Sequence, residues 1–394
     1  MTVYLDNAAS TLPSPEVIEA MGRVMREHFA NASSLHGLGA AAARALATAR
    51  EEVAALVHAQ PEEIVFTGSG TEANALGVIG SARVSRLRHM VVSAIEHAAV
   101  LNSARLLGDE GHDEGYDEGW QVDTVAPDPN GCVTADAVLA AVRPETSVVA
   151  IMLVNNEIGT LQPVADIGRA LRALGRKIHF HVDAVQFAGL EALDVRTKGA
   201  DSIAISAHKL HGPKGMGALW LRKGKRLAPL YGGGGQERDL RSGTENLPAA
   251  VGFGVAAALA RKDASAAARV RELRDRLETL IFAAVPQARP AIPLPAPRAP
   301  HIASILLPGL PAEPILHALE ARGVFASEGA ACSSHAREQS RVQLALGIAA
   351  TTGVLRFSLS RLTTADEVEQ AARALALSIA EIAKVVNRVV NPGR

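Results

Sequence analysis

The chain has 394 residues, 48% of them hydrophobic, and its 40 Lys and Arg nearly cancel its 41 Asp and Glu, leaving a formal net charge of −1. That length asks for more than one core. The charge balance excludes the global field that drives binding to nucleic acid or to a membrane surface, so the expected partner is a small molecule or another protein.

The opening stretch "MTVYLDNAAS" has neither a basic region nor a long apolar run, and no later stretch is apolar enough to span a bilayer, which predicts a cytoplasmic protein. From about residue 64 to 221, β-rich runs alternate with helical ones: "EIVFTG", "HMVVSAIE", "SVVAIMLVNN", "KIHFHVDA", "DSIAISAH" and "GALWLR" are separated by segments such as "TEANALGVIGSARV" and "VADIGRALRALG". Strands joined by crossover helices predict an α/β fold with a mostly parallel sheet between helices. Ligands of such sheets bind at the carboxyl ends of the strands, and Asn155, Asn156, Asp183 and His208 fall there. After "RSGTENLPAAVGFGVAAALA" come a charged helical stretch, "ARVRELRDRLETL", and the connector "PQARPAIPLPAPRAP", whose prolines exclude regular helix. A strand in "HIASILLPG", a helix from Pro311 to Arg322 and the amphipathic tail "TADEVEQAARALALSIAEIAKVVNRVV" predict a smaller α/β C-terminal domain. The expected division is a large domain over 14–258 and a small one made of 1–13 and 259–394.

Three places carry chemistry. In "VFTGSGTEA", Gly68, Gly70 and Ala73 match the G-x-G-x-x-[GA] pattern between a strand and a helix, and Glu96 ends the next strand where a ribose-binding acid would lie. The pattern alone leaves open a dinucleotide site, a phosphate of another ligand at a helix N-terminus, or a tight turn with no ligand. The second place joins "HVDAVQFAGL" to "ISAHKLHGPKGMG": Asp183 ends one strand and Lys209 lies just past the next. Singly, each has an ordinary reading as a helix cap or a solvated loop residue. Together they match what pyridoxal phosphate requires, an amine to bind it covalently and a carboxylate to keep its pyridine nitrogen protonated. Gln186 would then lie near the ring oxygen, with Ser206 and His208 near the phosphate. The third place is Cys332, in the small, flexible run "EGAACSSH". The two cysteines, Cys132 and Cys332, lie outside any C-x-x-C pattern, which argues against a disulfide framework or a metal site and for free thiols in a reducing compartment.

The motifs "YLDNAAST", "NASSLHGLG", "FTGSGTEAN", "IEHAAVL", "NNEIGTLQPV", "HVDAVQ", "SAHKLHGPKGMGALW", "GGGGQERDLRSGTEN", "GAACSSH" and "LRFSLSRLTTADEV" resemble, in order and along nearly the whole chain, the cysteine desulfurases. These are fold type I pyridoxal-phosphate enzymes related to the class V aminotransferases. The resemblance implies Lys209 as the Schiff-base lysine, Asp183 as partner of the pyridine nitrogen, Gln186 at the ring oxygen and His97 on the ring face. It implies a phosphate held by Gly70, Thr71, Ser206 and His208, with Thr244 reaching over from the other subunit of a homodimer. Asn155 and Arg356 would bind the substrate carboxylate. Cys332 would be the nucleophile, with His335 and His97 as candidate helpers, and Cys132 non-catalytic. Two departures stand out: Ser360 replaces the family's usual glycine before the second arginine of its motif, and "SSHAREQS" after Cys332 lacks the commoner proline.

The implied reaction turns L-cysteine into L-alanine and a persulfide on Cys332. A protein sulfur acceptor then takes the sulfur, such as an iron-sulfur scaffold or a tRNA-thiolation relay, with no direct contact to nucleic acid. Two competitors remain at this level. A selenocysteine lyase shares the fold and most motifs, and an NAD-dependent oxidoreductase would use the glycine pattern but leave Lys209, Asp183 and Cys332 unexplained.

Overall fold

The computed structural model describes residues 2–110, 119–329 and 339–390. Its elements in chain order begin with β1 (Val3–Tyr4), α1 (Pro15–Glu27), α2 (Gly37–Leu56), β2 (Ile64–Thr67), α3 (Gly70–Arg83), β3 (His89–Ser93), α4 (Ala98–Glu110) and β4 (Gln121–Val125). There follow α5 (Ala135–Ala141), β5 (Thr146–Met152), α6 (Val164–Ala173), β6 (His179–Asp183), β7 (Ser202–Ser206) and β8 (Gly217–Leu221). The remainder comprises α7 (Leu247–Lys262), α8 (Ala266–Ala284), β9 (Arg289–Pro290), β10 (Ile302–Pro308), α9 (Ala312–Glu320), β11 (Val324–Phe325), α10 (Arg341–Ala345), β12 (Thr352–Ser358) and α11 (Ala365–Val390).

Seven strands form one sheet in the order β2-β8-β7-β6-β5-β3-β4, and β8 alone runs against its neighbours. The mostly parallel sheet and its crossover helices are those expected from the alternating pattern. Every residue of β3, β5, β6, β7 and β8 is buried, as a sheet covered on both faces demands. Edge strand β4 did not announce itself in the sequence, because "QVDTV" buries only its last residue and carries the mixed polarity of an edge.

A second core gathers Val270, Leu277 and Ile281 of α8, Ile305 and Leu307 of β10, Leu355 and Phe357 of β12, and Val368, Ala371 and Leu375 of α11. Val3 and Leu5 pack into this same cluster, and β1 pairs with β11, so the start of the chain lies against its last third. The antiparallel trio β12-β10-β9 forms its sheet. Pairing along β10 fixes the register of β12 and turns Arg356 toward Ser304 and the N-terminal segment.

Candidate active site

A cleft of about 210 Å³ opens over the carboxyl ends of β5, β6 and β7, beside the first turn of α3. Among the residues facing it are Gly70, Thr71, His97, Asp183 and Gln186, and from the turn after β7 come Ser206, His208 and Lys209. The alternation along β6 places Asp183 on the same face as His181 and His179. Asp183 is 5% exposed. Its Oδ1 accepts from the amide of Val185 at 2.9 Å and its Oδ2 from Asn74 Nδ2 at 2.7 Å. Burial pushes its carboxyl up, while His97, these two donors and Lys209 act in the opposite direction. Lys209 Nζ donates to the carbonyls of Ala8 and Ala9, which brings the N-terminal segment to the amine.

The other end of the cleft suits an anion. Ser206 Oγ is buried and has no hydrogen-bond partner among the described residues. The amides of Gly70 and Thr71 belong to the first turn of α3, where helix geometry leaves N–H groups without intrahelical acceptors. A methyl group on Gly70 would come within 2.9 Å of Val185 Cγ2 and 3.1 Å of Ser206 Cβ, so only glycine lets α3 approach this closely. His208 is held neutral by burial and by Lys209, its pKa lowered to about 4, and its Nδ1 lies 3.2 Å from Ser10 Oγ.

Arg356 forms another wall. It is 1% exposed on β12. Nη1 donates to the carbonyls of Asn156 and Gly329, both at 2.8 Å, and Nη2 to Asp6 Oδ1 at 2.8 Å. Its Nε is buried without a partner among the described residues. A guanidinium has five N–H groups; three donate to Asn156, Gly329 and Asp6, so among the described residues Nε–H and one Nη2 hydrogen are left to donate. Glu157 sits beside this wall, its carboxyl raised by burial and its Oε2 accepting from Ser340 Oγ at 2.5 Å.

One expected position, Asn155, does not line the cleft. Asn155 is fully buried: Nδ2 donates to Ile95 O at 2.9 Å, and Oδ1 accepts from the amides of Glu157 and Ile158. Its side chain shapes the loop after β5 and has no group left for a substrate, whereas its neighbour Asn156 lines the cleft. Thr244, expected to serve the site of a partner subunit, is exposed and lines a separate depression with Gly68 and Arg241. Cys332 and His335 lie outside the described residues.

Gln186 turns its Nε2 to Ala8 O at 2.8 Å, and His301 Nε2 lies 3.3 Å from its Oε1. Glu96, which a dinucleotide site would need at a ribose, is buried with Oε1 accepting from Met152 N at 2.7 Å. Cys132 is half-buried, with its thiol toward Leu161 O and pushed up by burial. Ser360 is buried, and its Oγ accepts from Leu362 N while its own amide donates to Thr363 Oγ1, so the hydroxyl that departs from the family pattern closes a turn.

Sequence reasoning did not single out Asn74, His181, Asp6, Glu157 or His301. For His181 the signal was present, since H-x-H-x-D in a buried strand lines three polar side chains on one face. For Asp6 and His301 no local pattern existed, because their partners lie far away along the chain.

A buried acid, an amine, an anion cup with an orphaned hydroxyl and an unspent guanidinium edge fit pyridoxal phosphate and an amino-acid substrate. The class is set by the family model for Aminotransferase class-V, which matches residues 3–371: the chain belongs to that family, whose members include pyridoxal-phosphate enzymes. Within it the chain sits with the cysteine desulfurases. It is 42% identical to a cysteine desulfurase of Cereibacter sphaeroides over 374 residues, 93% of each chain. Among solved structures, a NifS-like protein aligns with a TM-score of 0.88 at 33% identity, covering 96% of this chain and all of that one. SspA in complex with cysteine aligns with a TM-score of 0.78 at 32% identity, covering 92% and 100%. This assignment removes the dinucleotide reading of the glycine turn.

Proposed function

We propose that this chain binds pyridoxal 5'-phosphate in the cleft and acts as a cysteine desulfurase, converting L-cysteine to L-alanine and a persulfide on Cys332. The observation that carries the reading is the convergence of Asp183 and Lys209, from the ends of adjacent strands, on one cleft that also holds the Ser206 hydroxyl, which has no partner among the described residues. Bound there, the cofactor supplies an electron sink that acidifies the substrate's Cα proton.

The residues divide the remaining work. Asp183 would keep the ring nitrogen protonated, with Gln186 and His97 as the residues that would contact the ring. Ser206, His208 and the amides of Gly70 and Thr71 would hold the phosphate, completed by Thr244 of the partner subunit in a homodimer. The free Nε edge of Arg356 takes the substrate carboxylate. Lys209 would hold the cofactor and, once released from it as an uncharged amine, take the proton from Cα and later return it there. The Cys332 thiolate attacks the substrate sulfur: an S–S bond forms, the C–S bond breaks with its electron pair left on Cβ, and Cβ takes a proton to give alanine. A thiol reductant or a protein acceptor, such as an iron-sulfur scaffold, then removes the sulfane sulfur.

The same reading divides the chain into a cofactor-binding domain over 14–258 and a small domain of 1–13 and 259–394 that brings Arg356 and Cys332. A cytoplasmic setting suits a catalytic thiol that must stay reduced. Among the described residues no helix is long and apolar enough to cross a membrane.

Incubating the purified holoprotein with L-cysteine and a thiol reductant tests the reading. Alanine and sulfide should accumulate in equal amounts. Sulfide without alanine, or neither product, would contradict it.

A further inference from the structure

Behind Asp183 lies a line of polar groups sealed inside the large domain. Asn74 Nδ2 donates to Asp183 Oδ2 at 2.7 Å, and Asn74 Oδ1 lies 2.9 Å from His181 Nε2. His181 Nδ1 lies 2.9 Å from Ser202 Oγ, which is 2.8 Å from His179 Nε2. Asn74, His181 and Ser202 are at most 1% exposed and His179 is 9% exposed, so the line runs through protein with little access for water.

With Asp183 ionised, chemistry fixes the direction of every bond. A carboxylate only accepts, so the amide nitrogen of Asn74 must face Asp183 and its oxygen must face His181. His181 therefore carries its proton on Nε2. Burial keeps both imidazoles neutral, with pKa values lowered to about 3, so Nδ1 of His181 is a bare acceptor and the Ser202 hydroxyl must donate to it. Ser202 then accepts from His179, which must also be protonated on Nε2. Each donation points toward Asp183, and no member can turn around without setting two acceptors against each other.

The packing looks built for this line. Gly70, Asn74 and Gly77 lie on one face of α3, spaced by about one turn. A methyl group on Gly77 would fall 2.3 Å from His181 Nδ1, so glycine there leaves room for the imidazole.

We propose that Asn74, His181, Ser202 and His179 form a one-way hydrogen-bond relay that holds Asp183 ionised and oriented as the acceptor for a protonated ring nitrogen, with Asn74 and His181 as its positioning residues. The inference rests on the pyridoxal-phosphate reading for its purpose, but not for its geometry. Burial favours protonated Asp183, and a neutral acid cannot stabilise a pyridinium. The relay, through the Asn74 amide, opposes burial together with the Val185 amide, His97 and Lys209. Without His181, the Asn74 amide is free to present its oxygen to Asp183 or to turn away.

Two measurements test the relay. In cofactor-free protein labelled with 15N-histidine, His179 and His181 should both give neutral Nε2–H signals from pH 5 to 8; an Nδ1–H tautomer or an imidazolium at His181 would overturn it. In holoprotein loaded with 15N-pyridoxal phosphate, Asn74→Ala should move loss of the pyridine proton at least about one pH unit lower, a tenfold shift in its equilibrium. Ser202→Ala, a smaller change that leaves both direct contacts of Asp183 in place, should move it in the same direction by less. Pyridine titrations that coincide with the parent's in both variants would overturn the relay. If the parent takes up no pyridoxal phosphate, the cofactor reading falls, and the histidine tautomers still decide whether the relay exists.

Discussion

On the floor of the cleft, Asp183, Ser206 and Lys209 come from two adjacent strands and the turn that follows, and each is placed by the sheet itself. The Arg356 wall is assembled differently: its guanidinium bridges Asp6, Asn156 and Gly329, and the pair with Asp6 closes a separation of 350 positions along the chain. The floor is rigid because the strands are hydrogen-bonded and buried throughout. The wall depends on a buried cation whose only carboxylate partner, among the ion pairs described, is a residue of the N-terminal segment. On the proposed reading, cofactor chemistry rests on local geometry, and substrate recognition on the docking of distant segments.

Changes on the floor should be the most damaging. Lys209→Ala removes both the attachment point and the Cα base, and alanine formation should fall by roughly 10⁴-fold in steady-state assays. A rate within tenfold of the parent would remove Lys209 from the chemistry. Asp183→Asn keeps the shape but not the charge, and exchange of the substrate Cα proton with solvent should slow by about 10²- to 10³-fold, with a modest loss of cofactor affinity.

Changes on the wall should split the kinetic constants instead. Arg356→Lys loses the planar donor edge, so KM for cysteine should rise about 100-fold while kcat falls less. Asp6→Asn keeps Arg356 but uncouples it, and about a tenfold rise in KM is expected. If Asp6→Asn lowered kcat with KM unchanged, the wall would be part of the chemical step and the contrast with the floor would fail.

The smallest effect on catalysis is expected at Glu96, which is buried with its Oε1 on the amide of Met152 at the end of β5. Burial raises its carboxyl from an ordinary 4.5 to about 8, with Asp183 adding to the shift. The folded chain therefore binds a proton that the unfolded chain has released, and stability falls as pH climbs from about 4.5 to 8, levelling off above that. Glu96→Gln removes this dependence. Urea midpoints of the cofactor-free parent and variant should agree near pH 4 and diverge toward pH 8, the variant then being more stable by on the order of a few kcal/mol. Parallel curves across that range would show that Glu96 ionises freely.

The same contrast explains what could be read in the sequence. The floor was legible because strand alternation and the strand-end rule turn a local pattern, "HVDAVQ" with "SAHK", into a place in space. His181 and Asn74 were within reach of that logic, through the H-x-H-x-D alternation and the turn from Gly70 to Asn74, although neither looks chemical by itself. The wall was not legible as geometry. Nothing near Arg356 in sequence indicates that Asp6 and two backbone carbonyls occupy most of its donors, since those contacts exist only after β12 pairs with β10 and the N-terminal segment docks. Asn155 shows the complementary difficulty: a polar residue at a strand end can serve the loop it starts, and only its partners tell the two roles apart.

The central claim is that the floor is a pyridoxal-phosphate site whose covalent anchor is Lys209, and borohydride reduction followed by peptide mapping tests it most directly. Treatment of the holoprotein should fix one phosphopyridoxyl group per chain, on the peptide containing Lys209, and Lys209→Ala should acquire none. A modified peptide carrying the exposed Lys214 instead, or no modification of a parent supplied with the cofactor, would contradict the account.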